Sequence, residues 1–120
     1  MSAFIDHQNW RYATKKFDST KKISNEDLNT LKEAIRLSSS SYGLQPYKVI
    51  IVENQDLRAK IQPAAWGQSQ IVDASHLIIF ANQTSIGDTE IDALIENMSK
   101  TRGIEIEALS GYQGFMKSKI

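Results

Sequence analysis

Two short apolar runs constrain this chain more than any other feature. Val49-Ile50-Ile51-Val52 and Leu77-Ile78-Ile79-Phe80 are its clearest clusters of β-branched and aromatic residues, and both read as buried strands, over 48–53 and 76–82. Helical patterns fall between and around them, so the chain reads as α+β. Two strands alone are a poor nucleus for 120 residues. The last apolar stripe, Leu109, Tyr112, Met116 and Ile120, is still running where the sequence stops. The expectation is a truncated chain, or one that borrows strands from a partner.

The helical readings rest on caps and spacing. Residues 3–11 form a short helix with Ser2 available as N-cap, and 11–22 is polar and irregular. Residues 25–37 carry the strongest signal. Ser24 stands at the N-cap with Asp27 three residues on, and Ile23 and Leu28 hold the two staple positions. Leu28, Leu31 and Ile35 then define one buried face. Asn54 caps a helix over 55–61 that Pro63 ends, and 66–74 is a further short helix. Ile91, Leu94, Ile95 and Met98 mark a helix from about Asp88, and a last one begins near 105.

Composition narrows the function. Fourteen basic residues balance fourteen acidic ones, which argues against bulk attraction to nucleic acid or acidic membranes. Cysteine is absent and only His7 and His76 are present, so thiolate catalysis and a Cys- or multi-His metal site are excluded within one chain. No apolar run approaches the ~20 residues of a membrane span. No basic and apolar leader is visible, so a cytoplasmic protein is expected. The charge is uneven, however. Residues 1–60 carry ten basic and seven acidic groups, and 61–120 carry four and seven, which suggests a local anion site in the first half.

Gly-x-Gly-x-x-Gly, Walker and Gly-x-Ser-x-Gly motifs are all missing. Covalent catalysis therefore has few candidates, and any chemistry falls to a bound cofactor. Three segments could hold one. Trp10-Arg11-Tyr12-Ala13-Thr14-Lys15-Lys16-Phe17 offers two cations, either a phosphate grip or a solvated basic loop. Ser38-Ser39-Ser40-Ser41-Tyr42-Gly43-Leu44-Gln45-Pro46 offers hydroxyls, amides and a permissive glycine, or merely a flexible connector. Trp66-Gly67-Gln68-Ser69-Gln70-Ile71-Val72-Asp73-Ala74-Ser75-His76 offers glutamine amides that both donate and accept, as the imide and carbonyl edge of a flavin requires, or an exposed helix surface. His76 reads as a strand-start histidine with ordinary hydrogen bonds and no carboxylate partner.

Taken together, the three segments resemble the FMN-dependent nitroreductase family. Arg-Tyr-Ala-Thr-Lys-Lys-Phe is similar to that family's Arg-x-Ser-x-Arg/Lys-x-Phe opening. Ser-Ser-Ser-Ser-Tyr-Gly-Leu-Gln-Pro-Tyr is similar to its Pro-Ser-Ser-x-Asn-x-Gln-Pro-Trp segment, and Trp-Gly-Gln-Ser-Gln to its third FMN segment. Order and spacing agree over residues 4–82. The resemblance implies a three-layer α/β/α sandwich, a homodimer with FMN at its interface, and NADH or NADPH as electron donor. It implies ping-pong reduction of nitroaromatics, quinones or other small-molecule acceptors, with hydride passing through flavin N5 and no protein residue performing that step. By position, Arg11, Tyr12, Ala13 and Lys15 would bind the FMN, Arg11 and Lys15 gripping its phosphate and flavin edge. Ser39, Ser40, Ser41 and Gly43 would approach the FMN from the other subunit. Gln68 and Gln70 would meet its polar edge, and Tyr42 and Trp66 would line the substrate pocket. Gln70 stands where many relatives carry Lys, Ala13 where Ser is common and Ser39 where Pro is common. Residues 1–120 would be a single domain lacking the family's C-terminal half, with its central dimer helix, further strands and basic phosphate clamp. The competing expectation is an inert fragment that acts only as an oligomerisation or binding module.

Overall fold

The computed structural model describes residues 2–120. In chain order the elements are α1 (Ala3–Trp10), α2 (Asn25–Leu37), β1 (Tyr47–Val52), α3 (Gln55–Ile61), α4 (Gln70–Asp73), β2 (Leu77–Asn82), α5 (Asp88–Arg102) and α6 (Ser110–Lys117). Short 3-10 turns occupy Ser41–Gly43, Gln62–Ala65 and Ile106–Leu109. The architecture is α+β, and residues 11–24 hold no helix or strand, as their polar sequence suggests. No described helix is long and apolar enough to cross a membrane.

β1 and β2 pair in a two-stranded sheet. The Gln83 amide donates to the Pro46 carbonyl at 2.9 Å, while His76 lies 3.6 Å from Glu53. Numbers rise along one strand as they fall along the other, so the pair is antiparallel. The strands are not buried on both faces, as their apolar runs suggest. Lys48 and Ile50 are exposed in β1, and Phe80 is 59% exposed in β2. A two-stranded sheet has too little backing to cover both faces, so the alternation of the pleat survives despite the continuous apolar sequence.

The chain packs as two compact units. The first comprises residues 1–25 and 51–79, the second 26–50 and 80–120. In the first, Asn54 accepts from the Leu57 amide at 2.8 Å and starts α3. α3 ends at Ile61, just before Pro63, as expected. Pro63 sits early in the 3-10 turn, where its missing N–H costs nothing. Removing the cap with Asn54→Ala is expected to lower stability by about 1 kcal/mol, read from urea unfolding. An unchanged midpoint would show that the cap contributes nothing. The helix expected over 66–74 shrinks to the single turn of α4.

Ile91, Ile95 and Met116 form the core of the second unit, with Leu44, Leu94 and Leu109 partly buried around them. Ile91 and Ile95 lie one turn apart on α5, so one stripe faces α6. The Glu90 carboxylate accepts from the Gly87 amide at the start of α5 (2.9 Å), and Gly103 ends it at φ 64°. Asp92 accepts from Lys117 Nζ at 2.6 Å and from Gln113 Nε2 at 2.7 Å, tying the polar flanks of the two helices. Two expected contacts are absent. Leu31 on α2 is 44% exposed although Leu28 is buried, and Ile120 lies beyond α6 and is half exposed.

Candidate functional site

The first unit holds two of the three candidate segments. Arg11 ends α1, its amide donating to His7 O at 3.1 Å and its Nε to Gln8 Oε1 at 2.8 Å. The remaining guanidinium nitrogens of Arg11, and the Lys15 ammonium, bond no protein group among the described residues. Tyr12 is exposed, as is the neighbouring backbone at Ala13. Lys16 does have a partner: its Nζ donates to Asp73 Oδ2 at 2.5 Å, across 57 positions. The Ile23 amide likewise donates to Ser75 Oγ at 2.9 Å. These two bonds bring the Arg11–Lys15 segment beside the segment that carries Gln68 and Gln70.

That second segment is set by an unusual turn. Trp66 and Gly67 both adopt left-handed backbone, at φ 56° and 69°, and reverse the chain after the 3-10 turn. Gln62 Nε2 steadies the reversal by donating to the carbonyls of Gly67 (3.2 Å) and Gln68 (3.3 Å). Trp66 is 90% exposed, and the Gln68 and Gln70 side-chain amides have no protein partner among the described residues. A bulky residue held at positive φ with its ring in solvent is backbone strain retained at a candidate ligand segment.

Arg58 supports this unit from within. Its side chain is fully buried, and its guanidinium donates to Ile71 O (2.7 Å), Ala74 O (2.5 Å) and Ser75 O (3.3 Å). Those carbonyls end α4, so one planar fork satisfies acceptors that a single-turn helix leaves open. The Lys16 hydrogen bond holds the Asp73 carboxyl below its ordinary value, with smaller help from Ser69 and the Lys16 and Arg58 charges. A depressed folded-state pKa stabilises above the ordinary aspartate value and loses that effect as pH falls through the lowered one. The stability difference between the wild-type chain and Asp73→Asn is therefore expected near neutral pH and to close in acid below about pH 4. A gap that persists at low pH would show that the bridge is not its source.

His76 also differs from expectation. Its Nδ1 lies 2.8 Å from Ser75 Oγ, and its Nε2 faces a carboxylate partner, Glu53, at 3.6 Å. That pairing is set by strand register, which local sequence does not display.

The third segment belongs to the second unit. Ser39 and Ser41 hydroxyls have no protein partner among the described residues, whereas Ser40 Oγ accepts from the Gln45 amide at 2.9 Å. Gln45 Nε2 donates to Arg36 O at 3.0 Å, closing the end of α2. Tyr42, Gly43 and Gln45 all take positive φ, at 55°, 76° and 44°. No atom stands within 4 Å of where a Gly43 side chain would begin, so its backbone is open to a ligand. The Tyr42 ring meets Phe115 edge-on with centroids 6.1 Å apart. Lys16, Arg58, Asp73 and Ser75, to which the sequence alone assigns no role, hold the first-unit segments in place.

Residues 9–117 match the Nitroreductase family model. A Staphylococcus epidermidis protein provisionally named an NAD(P)H nitroreductase is 41% identical over 118 residues, covering 95% of this chain and 54% of that protein. The provisionally named NAD(P)H nitroreductase YfkO of Bacillus subtilis is 42% identical over 82 residues, covering 68% of this chain and 37% of its own length. The chain thus spans about half, or less, of these relatives. A nitroreductase-like protein from Streptococcus mutans superposes with TM-score 0.80 at 16% identity, covering 97% of this chain and 57% of that one. A provisionally assigned nitroreductase from Exiguobacterium sibiricum, solved in complex with FMN, superposes at 0.68 and 21% identity, covering 93% and 57%. The α+β fold is therefore nitroreductase-like, and by family model and sequence identity alike the chain belongs to the nitroreductase family.

Proposed function

We propose that this chain supplies FMN-binding residues to an NAD(P)H-dependent oxidoreductase that reduces nitroaromatics, quinones or related small molecules. The observation that carries the reading is the Lys16–Asp73 bond, which ties the segment of Arg11 and Lys15, cations with no carboxylate partner among the described residues, to the segment that bears Gln68 and Gln70. That donor set fits FMN. Arg11 and Lys15 suit a phosphate dianion, and glutamine amides suit a ring edge that both donates and accepts. Tyr12, Ala13, Ser39, Ser40, Ser41 and Gly43 complete the proposed contacts, with Tyr42 and Trp66 at the acceptor pocket. FMN held there would supply two-electron chemistry between NADH or NADPH and the acceptor. Within that arrangement the cations hold the phosphate, and the amides orient the ring and favour its reduced, more electron-rich form.

The active form proposed is a homodimer in which both units belong to one family domain. Large exposed aromatics support the need for a partner surface: Trp10 is 80% exposed and Trp66 90%. The same exposure favours the second reading, an inert oligomerisation module. One preparation separates them. Protein incubated with FMN and desalted is expected to stay yellow, and to oxidise NADH or NADPH when a quinone is added. Each turnover would pass one hydride and one solvent proton to the quinone, giving the hydroquinone. Colourless protein would overturn FMN binding, and yellow protein without turnover would leave the binding module.

A further inference from the structure

The second unit contains a cavity of about 380 Å³ that meets the proposed FMN contacts only at Gly43. One wall is α5, where Leu94, Met98 and Arg102 follow one another at intervals of four residues and so share a face. The wall runs from apolar to cationic towards the helix end. Opposite it stand two rings, Tyr42 and Tyr112. The Tyr112 hydroxyl donates to the Tyr42 carbonyl at 3.4 Å, and Phe115 packs edge-on against the Tyr42 ring, so both rings have supports of their own. Arg102 has no protein carboxylate or carbonyl partner among the described residues, although Lys100, two positions away, lies 3.7 Å from Glu96. Its five donors face water at the cavity edge.

We propose that this cavity binds a planar aromatic ligand carrying an anionic group, with Arg102 as the anchor for the anion. The volume lies within the range of small-molecule pockets, ~300–1,000 Å³. Leu94 and Met98 give an apolar, polarisable bed for a ring, and the tyrosines give ring edges and faces. The guanidinium fork matches a carboxylate in two parallel hydrogen bonds, a geometry lysine cannot offer. Tyr42 is also in the proposed acceptor pocket. The inference therefore rests on that reading when it names anionic aromatics as the preferred acceptors, while the binding site stands on the geometry of α5, α6 and the Ser41–Gly43 turn.

The probe is 4-nitrobenzoate, with neutral nitrobenzene as control, titrated by calorimetry into the flavin-free chain. The wild-type chain is expected to bind 4-nitrobenzoate, and Arg102→Gln to weaken it tenfold or more with nitrobenzene unchanged. Arg102→Lys should recover only part of the loss. Helical circular dichroism checks that the variants stay folded. No binding of 4-nitrobenzoate, or equal binding by wild type and Arg102→Gln, overturns the proposal. The FMN-loaded chain is then assayed with NADPH. Each hydride, with one solvent proton, would convert one nitro group to nitroso and water. Arg102→Gln is expected to raise KM for 4-nitrobenzoate and leave kcat and nitrobenzene reduction alone. Reduction of neither acceptor, with binding intact, would sink the flavin reading and keep the site. Reduction of both with no effect of Arg102→Gln would sink the acceptor preference.

Discussion

Arg58→Leu is expected to lower the unfolding free energy by about 3–5 kcal/mol, the range for breaking a buried, fully bonded charged group. Three carbonyls, of Ile71, Ala74 and Ser75, lose their donor together. Leaving a buried acceptor unsatisfied costs about 1–3 kcal/mol, and the three share one site, so the losses do not simply add. Leucine removes the charge and returns some apolar burial, which keeps the loss below the upper sum. Arg58→Lys keeps the charge, but one ammonium on a flexible stem cannot reach three carbonyls in the guanidinium plane. It should fall between the two. Urea unfolding followed by circular dichroism measures both, and a change under 1 kcal/mol for Arg58→Leu would show that water replaces the guanidinium without penalty. α4 is a single turn and cannot hold itself. Melting it should free Asp73 from Lys16, so the proposed FMN affinity should fall with the same substitution.

What the sequence displays and what it hides divide along the range of the interactions. α2, α3 and α5 were legible because their signals are local: the cap at Asn54, and the stripe from Ile91 to Ile95 on α5. Their expected bounds agree with the observed ones to about a residue. The expected helix over 66–74 is too long because nothing local marks the left-handed pair Trp66-Gly67, and because the carbonyls of α4 depend on Arg58, thirteen or more positions earlier. In sequence Arg58 is an ordinary cation in the last turn of a helix. The strands were found and their faces misread, since a continuous apolar run carries no trace of how many strands will back it. Glu53 meeting His76 depends on register alone. The three candidate segments were legible as motifs. Their internal supports, Lys16 to Asp73 and Ile23 to Ser75, span more than fifty positions and had no pattern to announce them. Arg102 carries no local signal for a related reason: Tyr42, across the cavity, lies far from it in sequence.

Replacing Arg11 and Lys15 together with alanine is expected to weaken FMN binding by on the order of 100-fold. Each cation can make one or more charge-assisted bonds to a phosphate dianion, worth ~1.5–3 kcal/mol when well formed. Both side chains are exposed, so solvent screening places each near the lower end, about 3 kcal/mol together, or roughly two decades in Kd. The control is riboflavin, which has the same ring and no phosphate. Its affinity should change less than about threefold if the cations act on the phosphate and not on the ring edge. Arg11→Lys should cost about tenfold, because it keeps the charge and loses the fork. Raising the salt should weaken FMN for the wild-type chain and do little to the double variant, since screening acts on the charges removed. Quenching of flavin fluorescence gives all of these affinities. Equal losses for FMN and riboflavin would move the cations to the ring edge, and no loss for either would return the Arg11–Lys15 segment to a solvated basic loop. The bonds from Lys16 to Asp73 and from Ile23 to Ser75 are untouched by the double substitution, so a loss confined to FMN cannot be assigned to release of the segment.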